Sequence, residues 1–106
     1  MRKLSRSLSG ALFEYLILSV LSQGPSYGYE LIKSIENISE GNIKRQAGSV
    51  YPLLNKMELK GWIKSEWDTT KERPKRIYKI CKKGSQELLS KKEEWEFSYK
   101  ILNEFL

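Results

Sequence analysis

Ser49, Tyr51, Asn55 and Lys56 share one side of the segment from Ala47 to Lys60, and no carboxylate stands among them. Hydroxyl, phenol, carboxamide and ammonium groups are the donors and acceptors that meet base edges and phosphates in a DNA groove. Lys44 and Arg45 lie just upstream, where the free N–H groups and dipole of a helix N-terminus already attract anions. The opposite side carries Val50, Leu53, Leu54 and Met57, the i, i+3, i+4, i+7 spacing of an apolar helix face. A helix that is apolar on one side and cationic on the other suits a major groove. The same pattern also describes an ordinary amphipathic helix with a solvated face. Pro52 lacks an N–H and is at ease only in a first turn. The spacing therefore predicts a start near Ala47 with distorted first turns, Pro52 facing the Gly48 carbonyl.

The elements that must position this helix are read from the rest of the chain. Leu8–Gln23 forms a first helix with two adjacent apolar stripes, closed by Gly24-Pro25. So apolar a helix needs cover on more than one side, from its own domain and from a second subunit. Ser26 is suited to N-cap a second helix from Tyr27 to about Ser39, with Leu31, Ile32, Ile35 and Ile38 inward and Gly41 as its stop. Gly61 ends the central helix. Ile63 and Trp67 then share one face of a strand, and Arg76–Cys81 alternates with Tyr78 and Ile80 inward. Two strands around a polar loop read as a hairpin. Its tip carries Lys71, Arg73, Lys75 and Arg76 against a single carboxylate, Glu72. Three helices followed by a basic-tipped hairpin is the order of a winged helix-turn-helix.

Lys82–Leu106 reads as a last helix. Leu88, Trp95 and Leu102 recur every seven residues, and Lys92, Tyr99 and Leu106 fill the position four later. The expected fold is mostly α with a small β-hairpin: residues 1–81 a winged helix-turn-helix DNA-binding domain, 82–106 a dimerisation helix. Leu88, Trp95, Tyr99, Leu102 and Leu106 are its candidate dimer residues; the alternative is fold-back onto the first helix. Met1–Ser7 reads as a short basic arm.

Composition narrows the chemistry. The 106 residues include no histidine and one cysteine, Cys81. That excludes an internal disulfide, histidine-based acid–base catalysis and Cys–His or Ser–His nucleophiles. The acidic residues are scattered, so an enzyme has no supporting constellation, and no metal or cofactor is expected. The formal net charge is +6, from 19 Lys+Arg and 13 Asp+Glu, which favours a polyanionic partner. No apolar run is long enough to span a bilayer and no signal peptide is evident, so a cytoplasmic protein with no membrane partner is expected.

Leu21-Ser-Gln-Gly-Pro-Ser-Tyr-Gly-Tyr-Glu-Leu-Ile-Lys33, Gly48-Ser-Val-Tyr-Pro-Leu-Leu54, Lys60-Gly-Trp-Ile63 and Arg76-Ile-Tyr-Lys-Ile80 with Gly84 resemble the PadR family of bacterial transcriptional regulators. The resemblance runs from about Leu12 to Trp95. It implies a homodimeric winged helix, usually a repressor, on pseudo-palindromic double-stranded DNA operators. Ser49 and Tyr51 then stand at the start of a recognition helix, with Lys75 and Arg76 on the wing. Short members end in one long helix that crosses the partner, and several respond to small planar aromatic ligands. Trp95 stands where some members line a ligand pocket between subunits. Two positions depart from the pattern: Cys81 replaces a usual capping threonine, and Ile77 a common wing tyrosine.

The DNA contacts expected are Lys44, Arg45, Ser49, Tyr51, Asn55, Lys56, Arg73, Lys75 and Arg76. An effector would meet Trp95 and Tyr99 of the last helix and Leu8, Ala11, Tyr15 and Ser19 of the first. The rival reading is a winged helix that binds another protein and has no DNA site of its own.

Overall fold

The structure, a computed structural model, describes residues 6–70 and 72–105, with side chains for all of these but 6–9 and 11. The expected contacts at Leu106, Lys71 and the basic arm at Arg2 and Lys3 lie outside the described residues, as do the side chains of Leu8 and Ala11. Seven elements follow in order: α1 (Arg6–Ser22), β1 (Ser26–Tyr27), α2 (Gly28–Ile38), α3 (Ala47–Leu59), β2 (Ile63–Asp68), β3 (Lys75–Ile80) and α4 (Lys82–Phe105). The winged helix-turn-helix order expected from the sequence is the observed one.

One core holds the elements together. Phe13, Ile17, Leu18 and Leu21 of α1 meet Leu31 and Ile35 of α2, and Val50, Leu54 and Met57 of α3, with Ile43, Ile63 and Tyr78 closing the cluster. Ile43 comes from the loop before α3 and Leu18 from outside the two stripes of α1, whereas the residues of α2, α3 and the strands are the inward sets that periodicity selects. Ile38 departs from them: it stays exposed at the end of α2. Each buried Leu, Ile or Phe side chain contributes about 1.5–3 kcal/mol through area removed from water.

Ser26 does not cap α2. It lies in β1, a short strand that the hairpin reading lacked, and its hydroxyl donates to the Tyr27 carbonyl. β1 pairs antiparallel with β3, Ser26 opposite Tyr78 and Tyr27 opposite Ile77, so the sheet has three strands in the order β1-β3-β2. Tyr27 occupies the N-cap position of α2 without a side-chain cap bond. A two-residue strand between Pro25 and a helix has no room for alternation, the signal that reveals longer strands.

Two helix ends show why the turns fall where they do. At the end of α3 the Gly61 N–H reaches the Glu58 carbonyl at 2.9 Å and the Trp62 N–H reaches Met57 at 3.1 Å, with Gly61 at φ +78°. That is a Schellman stop, and only a residue without Cβ takes the position freely. At the end of α2 the same pair of bonds forms, Glu40 to Asn37 and Gly41 to Glu36. Here Glu40 itself is left-handed at φ 54°, and Gly41 follows at φ 79°.

α4 is 24 residues, about 36 Å at 1.5 Å per residue. Its first turns belong to the domain. Gly84 is buried against the chain at Trp62, Leu88 packs against the core, and Lys91 pairs with Glu14 of α1 at 3.9 Å. Beyond Trp95 the helix leaves the domain. The radius of gyration, 15.0 Å, exceeds the roughly 13 Å of a compact chain of this length because of that projection.

Candidate nucleic-acid interface

α3 begins at Ala47, with Gln46 as N-cap and a tightened first turn in which the Ser49 and Val50 N–H groups both reach the Gln46 carbonyl, at 3.0 and 3.2 Å. Pro52 is carried inside the helix, on its exposed side with Gly48. Ser49, Tyr51, Asn55, Lys56 and Lys60 are all exposed, as the periodicity requires. The helix does contain a carboxylate, Glu58, but it is turned away: it accepts a hydrogen bond from the Ser65 hydroxyl of β2. The exposed face carries neutral donors and cations, with apolar Pro52 and Leu59 beside them.

The wing candidates separate into two kinds. Arg73 and Lys75 are exposed near the hairpin tip. Arg76 is half-buried and engaged: its Nε donates to Ser65 Oγ at 2.8 Å and its guanidinium lies 5.1 Å from the centre of the Trp67 ring. Glu58, Ser65 and Arg76 thus form one line of hydrogen bonds that ties α3 to both strands of the wing. Upstream of α3, Lys44 is exposed and 3.5 Å from Glu36, a pair of little energetic weight at the surface. Arg45 is half-buried with its guanidinium 5.1 Å from the Phe13 ring, so it braces α1 as well as carrying charge.

Tyr51, Lys75 and Arg76 are brought together. With Tyr27, Gly28, Tyr29, Glu30, Trp67 and Pro74 they line a cavity of about 640 Å³ between the N-terminus of α2, α3 and the wing. Its geometry depends on Gly28. A Cβ there would stand 2.8 Å from Tyr51 Cε1 and 2.9 Å from its hydroxyl oxygen, so the Tyr51 ring lies where only a glycine admits it. On the far wall the Tyr27 hydroxyl donates to Asp68 Oδ2 at 2.5 Å, joining β1 to the end of β2. That bond first, and burial second, raises the Tyr27 hydroxyl above the usual tyrosine range. Lys75 Nζ lies 5.6 Å from the centre of the Tyr27 ring.

Sequence reasoning did not assign Tyr27, Tyr29 or Trp67 to this place. The place of the tyrosines after Gly24-Pro25 reads as the opening of a helix. Trp67 does share a pleat face with Ile63, but it is 59% exposed, because the core ends at Ser65 and the wing continues past it. The alternation was visible; where the core stops was not.

Between α1 and α4, Tyr15 of α1 and Trp95 and Tyr99 of α4 come together with Leu12 and Glu96 around an apolar hollow of about 410 Å³. Ser19 does not line it. Past this point Phe97, Tyr99, Leu102 and Phe105 are each at least 60% exposed.

Comparison with known proteins agrees with this architecture. The profile of the transcriptional regulator PadR-like family matches residues 17–90. A transcriptional regulator from Clostridium thermocellum superposes with a TM-score of 0.86 at 30% identity, covering 97% of this chain and 98% of that one. A PadR-like transcriptional regulator from Bacillus cereus gives a TM-score of 0.80 at 30% identity, with 95% and 96% covered. Among curated proteins, transcriptional regulator YqjI of Escherichia coli is 35% identical over 81 residues; these span 76% of this chain and 38% of that protein's length. From α1 through the wing to the first half of α4 the chain belongs to the PadR-like family, whose members are transcriptional regulators and not enzymes.

Proposed function

We propose that the chain is a sequence-specific DNA-binding regulator that works as a homodimer and represses transcription in the cytoplasm. The observation that carries this reading is the exposed face of α3. Its one carboxylate is turned into the wing, leaving Ser49, Tyr51, Asn55, Lys56 and Lys60 outward. Each subunit would place this face in a major groove. Lys44, Arg73 and Lys75 would meet phosphates, while Arg45 and Arg76 add positive potential from positions where they also brace the domain.

The dimer reading rests on the distal half of α4. Phe97, Tyr99, Leu102 and Phe105 leave a broad apolar surface in water, of the kind that marks an interface. Trp95, Tyr99, Leu102 and Leu106 supply the proposed seam; Leu88 packs on its own domain and anchors the root of the helix. The division into a DNA-binding part, 1–81, and a dimerising helix, 82–106, is one of roles. The packing is continuous across Gly84 and Leu88. A second subunit covering the hollow at Leu12, Tyr15, Trp95 and Tyr99 would enclose a place for a planar aromatic effector. Such a ligand would release DNA by favouring a different spacing of the two α3 helices. Among the described residues no helix is long and apolar enough to cross a membrane.

The test is selection of bound duplexes from a random pool, followed by footprinting and sedimentation of the complex. The expected result is an enriched inverted repeat with half-sites one helical turn apart, roughly 34–36 Å, or a multiple of it, bound by two chains. A folded protein that enriches no sequence and instead captures a protein partner would establish the rival reading of an interaction module.

A further inference from the structure

The cavity between α3 and the wing is built differently from a surface that only tracks a phosphate backbone. Its volume, about 640 Å³, falls within the 300–1,000 Å³ of small-molecule sites. Three tyrosines and a tryptophan face it; tyrosine hydroxyls also meet phosphates, but the exposed indole of Trp67 is a stacking surface rather than a phosphate contact. Tyr29 and Trp67 are 61% and 59% exposed, an apolar surface left open to water at the mouth.

Its walls are also fixed in advance. The Tyr27–Asp68 hydrogen bond holds one side, the Glu58–Ser65–Arg76 line holds the other, and Gly28 lets the Tyr51 ring close the floor. Preformed walls lower the ordering cost of binding a ligand. Two cations lie at rings of the lining, Lys75 beside Tyr27 and Arg76 beside Trp67; of the carboxylates nearby, Asp68 is held by the Tyr27 hydroxyl and Glu30 stands in the lining. Both cations belong to β3 and Glu30 to α2, so an anionic group has a place at the wing and Glu30 offers an acceptor to a ring-edge donor.

We propose that this cavity binds a planar aromatic anion of about mononucleotide size. The ring stacks on Trp67 and the tyrosines, and the anionic group lies toward Lys75 and Arg76. Tyr51 and Lys75 belong both to this cavity and to the proposed DNA face, so occupancy excludes DNA directly. That second half rests on the DNA-binding reading; binding of the anion itself does not. The chemistry is shared by a free nucleotide and by an aromatic carboxylate.

The test is calorimetric titration of the DNA-free full chain with GMP and with 2-naphthoate, each beside its uncharged counterpart, guanosine and 2-naphthamide. At least one anion is expected to bind saturably, and its neutral counterpart at least about tenfold more weakly. Whichever anion binds identifies the source. Trp67→Ala should abolish binding and Trp67→Phe restore it, Lys75→Gln should erase the advantage of charge, and Ile38→Ala, an exposed apolar change outside the lining, should leave binding as it is. A duplex-binding titration run alongside should lose affinity as the anion saturates.

Binding lost in Trp95→Ala but kept in Trp67→Ala would overturn the proposal by placing the ligand at α4. Absence of binding by both anions at millimolar concentration would overturn it, and would assign the cavity to the DNA track if Trp67→Ala then weakened duplex binding. Anion binding by a chain that never binds duplex would uphold the site and overturn the exclusion of DNA.

Discussion

Gly84→Ala should move α4 as a unit. A Cβ at Gly84 would stand 2.0 Å from the Trp62 carbonyl oxygen and 2.9 Å from the carbonyl carbon, both backbone atoms. The shortest separation normally tolerated is 3.0 Å, so helix or strand must shift by about 1 Å. The same Trp62 oxygen accepts the Cys81 N–H at 2.9 Å, at the entry to α4, so the shift strains that bond as well. Overpacking costs about 1–3 kcal/mol, and the weakened bond about 1 kcal/mol. The gain in helix propensity from glycine to alanine returns about 1 kcal/mol. The net is a loss of roughly 1–3 kcal/mol, or about 0.7–2 M in the urea midpoint at an m-value of about 1.5 kcal/mol/M. Gly48→Ala is the matched control. Gly48 is also helical but has nothing within 4 Å of its Cβ position, so it should be neutral or slightly stabilising, by up to about 1 kcal/mol. Urea unfolding followed by circular dichroism measures both. Equal midpoints for the two variants would refute the claim that Gly84 sets the take-off of α4, and with it the fixed relation between wing and proposed dimer seam.

Other consequences can be checked in the same way. Glu40→Gly removes a left-handed non-glycine residue at φ 54° and should raise stability by about 1 kcal/mol, seen as a higher melting temperature. Ser65→Ala leaves Glu58 and Arg76 without their shared partner and should cost about 1–3 kcal/mol in urea unfolding, while Ser65→Thr should recover part of it. Burial first, and Glu58 second, raises the Tyr78 hydroxyl above its ordinary value near 10. A raised acid group stabilises the fold fully below its unfolded pKa and loses that contribution as pH rises through the folded one. Stability should therefore fall from about pH 10 upward, and the fall should be shallower in Tyr78→Phe; parallel profiles would contradict the assignment. Leu102→Lys places a charge on the exposed face of α4 and should turn a dimer into monomer by analytical ultracentrifugation.

Periodicity carried most of the fold. The inward residues of α3 and β3 follow from spacing alone, because burial on one face forces that spacing, whereas α1 is apolar nearly all round and its spacing does not single out Phe13, Ile17, Leu18 and Leu21. Gly24 and Gly61 marked their turns for an equally local reason: each takes a positive φ. β1 was not legible, since two residues show no alternation and their pairing with β3 spans some fifty positions of chain. The site was legible as a list of polar residues, not as a shape. Ser49, Asn55 and Lys56 sit where the pattern puts them. Neither the turning of Glu58 into the wing nor the engagement of Arg76 with Ser65 and Trp67 could be read, because both depend on which side chains a tertiary contact brings opposite. The root of α4 is similar: a heptad records that Leu88 is apolar, but not that it packs partly buried against the chain's own core.

The central claim is that α3 and the wing form a DNA-binding surface. Anisotropy of a labelled duplex, titrated with the chain over a range of salt concentrations, tests it most directly. Neutralising roughly 6–8 phosphates per dimer gives a slope of log affinity against log salt near −5 to −7. Arg73→Ala with Lys75→Ala, two exposed wing cations per subunit, should make that slope shallower by about 2–4 and weaken binding to all sequences alike. Lys56→Ala should also reduce affinity while leaving the fold intact. Affinity that does not change with salt, or a slope that the wing variant leaves untouched, would contradict the account.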